Sequence, residues 1–203
     1  MVSSLLSIMT QELQDGNTVA IQGFGTFEVK KKMERVSVVE YMRMIELKTS
    51  ALLAGSAMIG AVMGGASADD CQKIYRYALE LGLAFQLQDD LLDSYGDEQL
   101  GKPIGGDMLE GKKSCLMLNA LSRADEADRE LLRKLPFDEA LPCEERIARV
   151  KAIYDKYDVP HLVNQQISTR FDRALAILDT LSIESERVEH LKVFARSLMK
   201  RKK

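Results

Sequence analysis

Residues 82–93 read GLAFQLQDDLLD. On a helix each residue advances about 100°. Gly82, Gln86, Asp89, Asp90 and Asp93 then share an arc of roughly 100°, while Leu83, Leu87 and Leu91 lie off it and can pack. Three carboxylates and one amide therefore sit on one face, with a glycine a turn earlier that leaves room for a close approach to the backbone. The arrangement is locally unfavourable. Asp is a weak helix former, Asp89 and Asp93 repel at i,i+4, and acids near a helix C-terminus oppose its dipole. Two such charges about 4 Å apart repel by roughly 4 kcal/mol at an effective dielectric of about 20. A divalent cation reverses that balance. Clustered oxygens with room for water suit Mg²⁺, which bridges readily to phosphates. An acidic, solvated helix end paired with Lys or Arg is the alternative, open at this point.

The flanking sequence bears on that choice. Downstream come Gly101-Lys102-Pro103-Ile104-Gly105-Gly106-Asp107 and Gly111-Lys112-Lys113-Ser114. Glycine-rich turns that present lysines beside an acidic helix are what a metal-bound diphosphate needs. Upstream, Lys48-Thr49 interrupts an apolar stretch. A lysine there is costly unless it reaches solvent, a polar cleft or an anion.

These residues must be held by helices. The chain has 203 residues, 46% apolar and 29% charged, with few aromatics, four prolines and no tryptophan. That favours helices over a β-sandwich. The pattern predicts helices over 38–63, 70–95, 112–123, 126–135, 143–157, 159–181 and 184–200, with a Gly-rich loop over 96–111. Thr49 to Ala68 is uncharged and rich in Gly, Ala and Ser. Little would be gained by inserting it in a bilayer, so it reads as a buried core helix and no membrane span is expected. Before residue 37 the character differs. A short helix over 3–14 and two strand-like pieces within 18–30 are expected there.

The net charge of −3 gives no whole-chain signal for nucleic acid or an anionic membrane. Three cysteines without CxxC spacing and two histidines exclude a disulfide framework, a zinc site and a His-rich metal site. They fit a reducing, cytoplasmic location. The N-terminus makes a poor signal peptide.

Taken in order, Lys48-Thr49, GxxFQxxDDxxD (Gly82–Asp93), GKPxGxD (Gly101–Asp107) and GKKS (Gly111–Ser114) resemble the C-terminal half of the trans-type polyprenyl (isoprenyl) diphosphate synthases. The resemblance covers residues 37–203. It implies an all-α, antiparallel helical bundle of the isoprenoid synthase type, here partial. It also implies Mg²⁺-dependent condensation of an allylic diphosphate with isopentenyl diphosphate, and a homodimer in the parent family. By motif, Asp89, Asp90 and Asp93 would serve Mg²⁺. Lys48, Lys102 and Lys112 would bind the leaving diphosphate, and Thr49 and Gln86 would line the site beside the reacting carbons.

The sequence departs from that pattern. The first Asp-rich motif, its following Arg pair and a Gly-Lys-x-Arg segment are missing, so turnover is expected to be impaired. Residues 8–36, through Gly23-Phe24-Gly25-Thr26-Phe27, instead resemble a stretch of the HU/IHF-type DNA-binding proteins, without their DNA-gripping arm. Two domains are expected: a 1–36 HU-like fragment of helix plus β-hairpin, and a 37–203 helical domain. They suggest two joined gene fragments. The alternative function is a non-catalytic diphosphate-binding or partner subunit. DNA binding is disfavoured, because the segment carries as many acids as bases and lacks the arm.

Overall fold

A computed structural model describes residues 19–21, 25–27, 36–96 and 104–199. The chain divides into two compact units, Met1–Val36 and Ser37–Lys203. In the first, β1 (Val19–Ile21) pairs antiparallel with β2 (Gly25–Phe27), Val19 opposite Phe27 and Ile21 opposite Gly25. The β-branched and aromatic residues on either side of Gly23 form the expected hairpin. The helix expected over 3–14 lies outside the described residues.

The second unit is helical among its described residues: α1 (Val38–Ile45), α2 (Ala51–Met63), α3 (Ala68–Tyr95), α4 (Gly106–Leu109), α5 (Cys115–Arg123), α6 (Glu126–Lys134), α7 (Cys143–Lys156), α8 (Val159–Leu178) and α9 (Ser185–Met199). The starts are written in the sequence. Ser37 and Glu40 form a reciprocal capping box, and Ser67, Ser114 and Asp125 cap α3, α5 and α6. The loop expected over 96–111 contains the short helix α4. It is preceded by Gly105 at φ +81, where a Cβ would lie 2.8 Å from Ile147 Cδ1. Only glycine fits that backbone and that space.

α3 is the central helix and packs most extensively against α8 and α2. Ala54, Ile74, Tyr77, Ala78, Leu81, Ala174, Leu178 and Ala195 form a core where small residues let helices approach closely. Arg170 on α8 reaches Glu80 on α3 at 2.8 Å, half-buried between the two helices. Asp70, in the first turn of α3, accepts from the Ser182 amide at 3.0 Å and the Ser67 hydroxyl at 2.9 Å, tying that turn to the α8–α9 connection.

Two expectations need correction. The helix over 38–63 is continuous, but a π-helical turn at Glu46–Ser50 divides it. The inward residues are Tyr41, Ile45, Ser50 and Ala54, so the step from Ile45 to Ser50 is five residues where an α-helix takes three or four. The helix is also not a buried core helix. It is long and apolar enough to cross a membrane, yet 17% of its most apolar window is buried. One face packs on α3, while Leu52, Ile59 and Met63 are exposed on the other. The extra residue in the π turn rotates Ala54, and not Leu52, toward α3.

The backbone and hydroxyl donors around Asp70 hold its carboxyl below the ordinary carboxylate range. A depressed folded value means stabilisation that is complete above about pH 4 and lost as pH falls through the folded value. The Asp70→Asn variant is therefore expected to show a flatter acid limb in Tm against pH than the unsubstituted protein. Identical acid limbs would show that Asp70 contributes nothing.

Candidate functional site

The site is built where the helix over 38–63 crosses the C-terminal half of α3. Three side-chain meetings align the two. Tyr41 Oη donates to Asp90 Oδ2 at 2.6 Å, Thr49 Oγ1 lies 3.1 Å from Gln86 Oε1, and Ser50 packs on Gly82. A Cβ at Gly82 would stand 2.9 Å from Ser50 Oγ and 3.0 Å from its Cα. The room left by this glycine is filled by the facing helix. The Ser50 residue is fully buried, and its hydroxyl has no hydrogen-bond partner among the described residues.

Lys48 and Thr49 lie within the π turn, Lys48 exposed and Thr49 half-buried. Solvent accounts for the lysine in an apolar helix, as snorkelling would. Thr49 and Gln86 are brought together across the two helices. The π turn itself left no mark in the sequence pattern; such turns recur at functional positions.

The three acids share a face but not a surrounding. Asp89 and Asp93 are half-buried, whereas Asp90 is 8% exposed. Asp90 lies at the edge of the acidic arc nearest Leu83 and Leu87, which turns it inward. Its Oδ2 accepts from Tyr41 and, at 2.7 Å, from the Cys115 amide. Burial pushes the Asp90 carboxyl above its ordinary range, and these two donors oppose the shift. Burial likewise pushes the Tyr41 phenol up, with the Asp90 charge adding to it, and lifts the Cys115 thiol to about 12.

The segment from Gly105 to Lys112 lies against the acidic face. Gly105 N donates to the Asp93 carbonyl at 2.7 Å and Asp107 N to Asp93 Oδ2 at 3.1 Å. Lys112 Nζ bridges Asp107 Oδ1 at 2.6 Å and Glu110 Oε2 at 2.9 Å. Those acids, Asp107 first, hold the Lys112 ammonium above the usual lysine range, so it stays charged. Lys102 lies outside the described residues. Tyr41 and Asp107 are contributors that the sequence reading gave no role. Asp107 could have been found from its place in GKPxGxD; nothing local marks Tyr41.

Among the described residues, no three Asp, Glu, His or Cys side chains gather into a ready metal cage. Mg²⁺ does not require one, because it is commonly held by one or two carboxylates together with waters and phosphate oxygens. Asp89 and Asp93, hard oxygen donors one turn apart, suit it. Asp90 suits it less, being inward and bonded twice within the protein.

Fold and site together define a helical domain of the isoprenoid synthase type. The polyprenyl synthetase family model matches residues 2–156, and the chain belongs to that family. The match begins well before Ser37, so it takes in the residues that resemble HU/IHF-type proteins. The chain is 39% identical over 163 residues to the short chain isoprenyl diphosphate synthase of Methanothermobacter thermautotrophicus, covering 78% of this chain and 46% of that protein. Its structure resembles a crystal structure of geranylgeranyl pyrophosphate synthase with TM-score 0.76 and 36% identity, over 85% of this chain and 54% of the other. A geranylgeranyl pyrophosphate synthetase from Pyrococcus horikoshii matches with TM-score 0.76 and 28% identity, over 84% and 51%. The chain thus spans about half the length of the curated relatives and solved structures it matches.

Two substitutions test the helix crossing. Gly82→Ala overpacks it, at a cost of about 1–3 kcal/mol, only partly offset by about 1 kcal/mol of helix propensity. A net loss of up to about 2 kcal/mol in urea unfolding is expected; a net gain would mean that the two backbones are not in contact. Ser50→Ala removes a buried, unpartnered hydroxyl, and a stability equal to or above that of the unsubstituted protein is expected. A clear loss would show that the hydroxyl has a partner.

Proposed function

We propose that this chain carries the second acidic site of a polyprenyl diphosphate synthase, a prenyltransferase that condenses an allylic diphosphate with isopentenyl diphosphate. The observation that carries this reading is the convergence on one acidic helix face of two separate lysine-bearing segments, the π turn at Lys48-Thr49 and the turn ending at Lys112.

In this reading Asp89 and Asp93 would hold Mg²⁺ for the allylic diphosphate; the family resemblance would add Asp90. When bound, Mg²⁺ supplies charge neutralisation to a leaving diphosphate, the dominant requirement of such a step. Lys48, Lys102 and Lys112 bind diphosphate oxygens. For Lys112 this means exchanging Asp107 and Glu110 for the ligand, which its half-exposed side chain allows. Thr49 and Gln86, already in contact, direct their oxygens beside the reacting carbons. The double bond of isopentenyl diphosphate attacks the allylic carbon as pyrophosphate departs, and a proton is then lost.

These 203 residues carry one of the two acidic motifs that the resemblance implies, so turnover by them alone is expected to be low. A partner-subunit reading is favoured by a separate observation, the exposed apolar face of α2 at Leu52, Ile59 and Met63. A pull-down with a complete synthase tests it, as does self-association into the homodimer of the parent family. Cys71, Cys115 and Cys143 are all unpaired, which supports a reducing, cytoplasmic setting. An HU/IHF-like origin for residues 8–36 is a separate proposal, supported by the β1–β2 hairpin. A salt-dependent gel shift would reveal any DNA binding there.

The direct test is incubation with Mg²⁺, isopentenyl diphosphate and an allylic diphosphate, beside calorimetry with pyrophosphate. Mg²⁺-dependent pyrophosphate binding is expected, weakened at least tenfold by Asp89→Ala. Any product formed should vanish in the same variant. Neither binding nor product at any protein concentration would reject the reading.

A further inference from the structure

We propose that Asp90 is a positioning residue: its buried carboxylate fixes both lysine-bearing segments against the acidic face. The inference deepens the diphosphate reading above and rests on it for the identity of the ligand.

Asp90 joins three helices through a single oxygen. Oδ2 accepts from Tyr41 on α1 and from the Cys115 amide, the first N–H of α5. That amide has no partner inside its own helix. Ser114, the N-cap of α5, accepts from Met117 N at 3.3 Å and so satisfies a different donor. The Asp90 carboxylate thus completes the cap of α5 and sits at the positive end of its dipole. Tyr41 and the Asp90 carboxylate are both buried, at 4% and 8% exposure, so neither bond competes freely with water. A carboxylate that serves a metal turns its oxygens to the ion and its hydration shell; this one turns an oxygen to two interior donors.

The two bonds lead to the two places where diphosphate lysines lie. Tyr41 and Lys48 are on the same continuous helix over 38–63, separated by under two turns. The Thr49–Gln86 contact aligns that helix at one point and Tyr41–Asp90 at a second. Gln86 and Asp90 are one turn apart on α3. Two points fix the direction of a rod where one leaves it free to pivot, so Tyr41–Asp90 sets where the π turn presents Lys48. On the other side, Cys115 is three residues after Lys112. Holding its amide fixes the end of the Gly111–Ser114 segment from which Lys112 projects. The sequence places three acids in one motif; the structure buries Asp90 against donors from two other helices, while Asp93 accepts from the Asp107 amide of the segment that leads to Lys112.

The experiment uses the full chain with Tyr41→Phe, Asp90→Asn and Asp89→Asn. Hydrogen exchange is followed over 112–118 and the helix over 38–63, and pyrophosphate binding is titrated at a series of Mg²⁺ concentrations. Asp90→Asn is expected to speed exchange in both regions, and Tyr41→Phe in the second. Both should weaken pyrophosphate binding by about tenfold while leaving the Mg²⁺ midpoint in place; Asp89→Asn should move that midpoint upward. The double variant Tyr41→Phe/Asp90→Asn should melt no lower than Asp90→Asn alone. The proposal is overturned if Asp90→Asn shifts the Mg²⁺ midpoint as far as Asp89→Asn, or if it leaves exchange unchanged. Absence of Mg²⁺-dependent binding in the unsubstituted protein would sink the diphosphate reading instead. The bracing role would then stand or fall by exchange over 112–118 and the helix over 38–63.

Discussion

A carboxylate placed inside a protein must be met by donors or it destabilises the fold. Asp90 is met by two, one from a phenol and one from the open end of a helix. Satisfying it constrains three helices at once. α1 must bring Tyr41 to α3, and α5 must begin where its first amide can reach the same oxygen. The rest of the candidate site is arranged around that junction.

The π turn belongs to the same constraint. Tyr41 and Ile45 face α3 before it, and Ser50 and Ala54 after it. A regular helix carrying Tyr41 inward would bring other residues to the crossing with Gly82. The extra residue keeps Ser50 against the glycine and places Thr49 beside Gln86. Close backbone approach and side-chain pairing are thereby satisfied on one helix pair.

The outer face of that helix has a different character. Leu52, Ile59, Val62 and Met63 are exposed, and a Cβ at Gly55 or Gly60 would meet nothing within 4 Å. Nothing within the described fold requires those glycines to lack a side chain. The chain also spans about half of the synthases it resembles. An apolar, small-residue face on such a chain fits the partner-subunit reading without identifying the partner.

Much of the fold was legible in advance. The helices from 38 onward follow from apolar periodicity, and their starts follow from Ser37, Ser67, Ser114 and Asp125, which cap by local geometry. The acidic arc from Asp89 to Asp93 follows from helical spacing alone. These are short-range properties, decided within a few residues. The sequence could not say that Gly82 receives Ser50, that the 38–63 helix takes a π turn, or that Asp90 turns inward while Asp89 and Asp93 do not. Each of those depends on which helix lies opposite, and a partner some forty residues away along the chain leaves no periodic trace in the segment it meets. Residue chemistry and local spacing were set by the sequence read alone; that Asp90 lies buried between a phenol and the open end of a helix was decided only by packing.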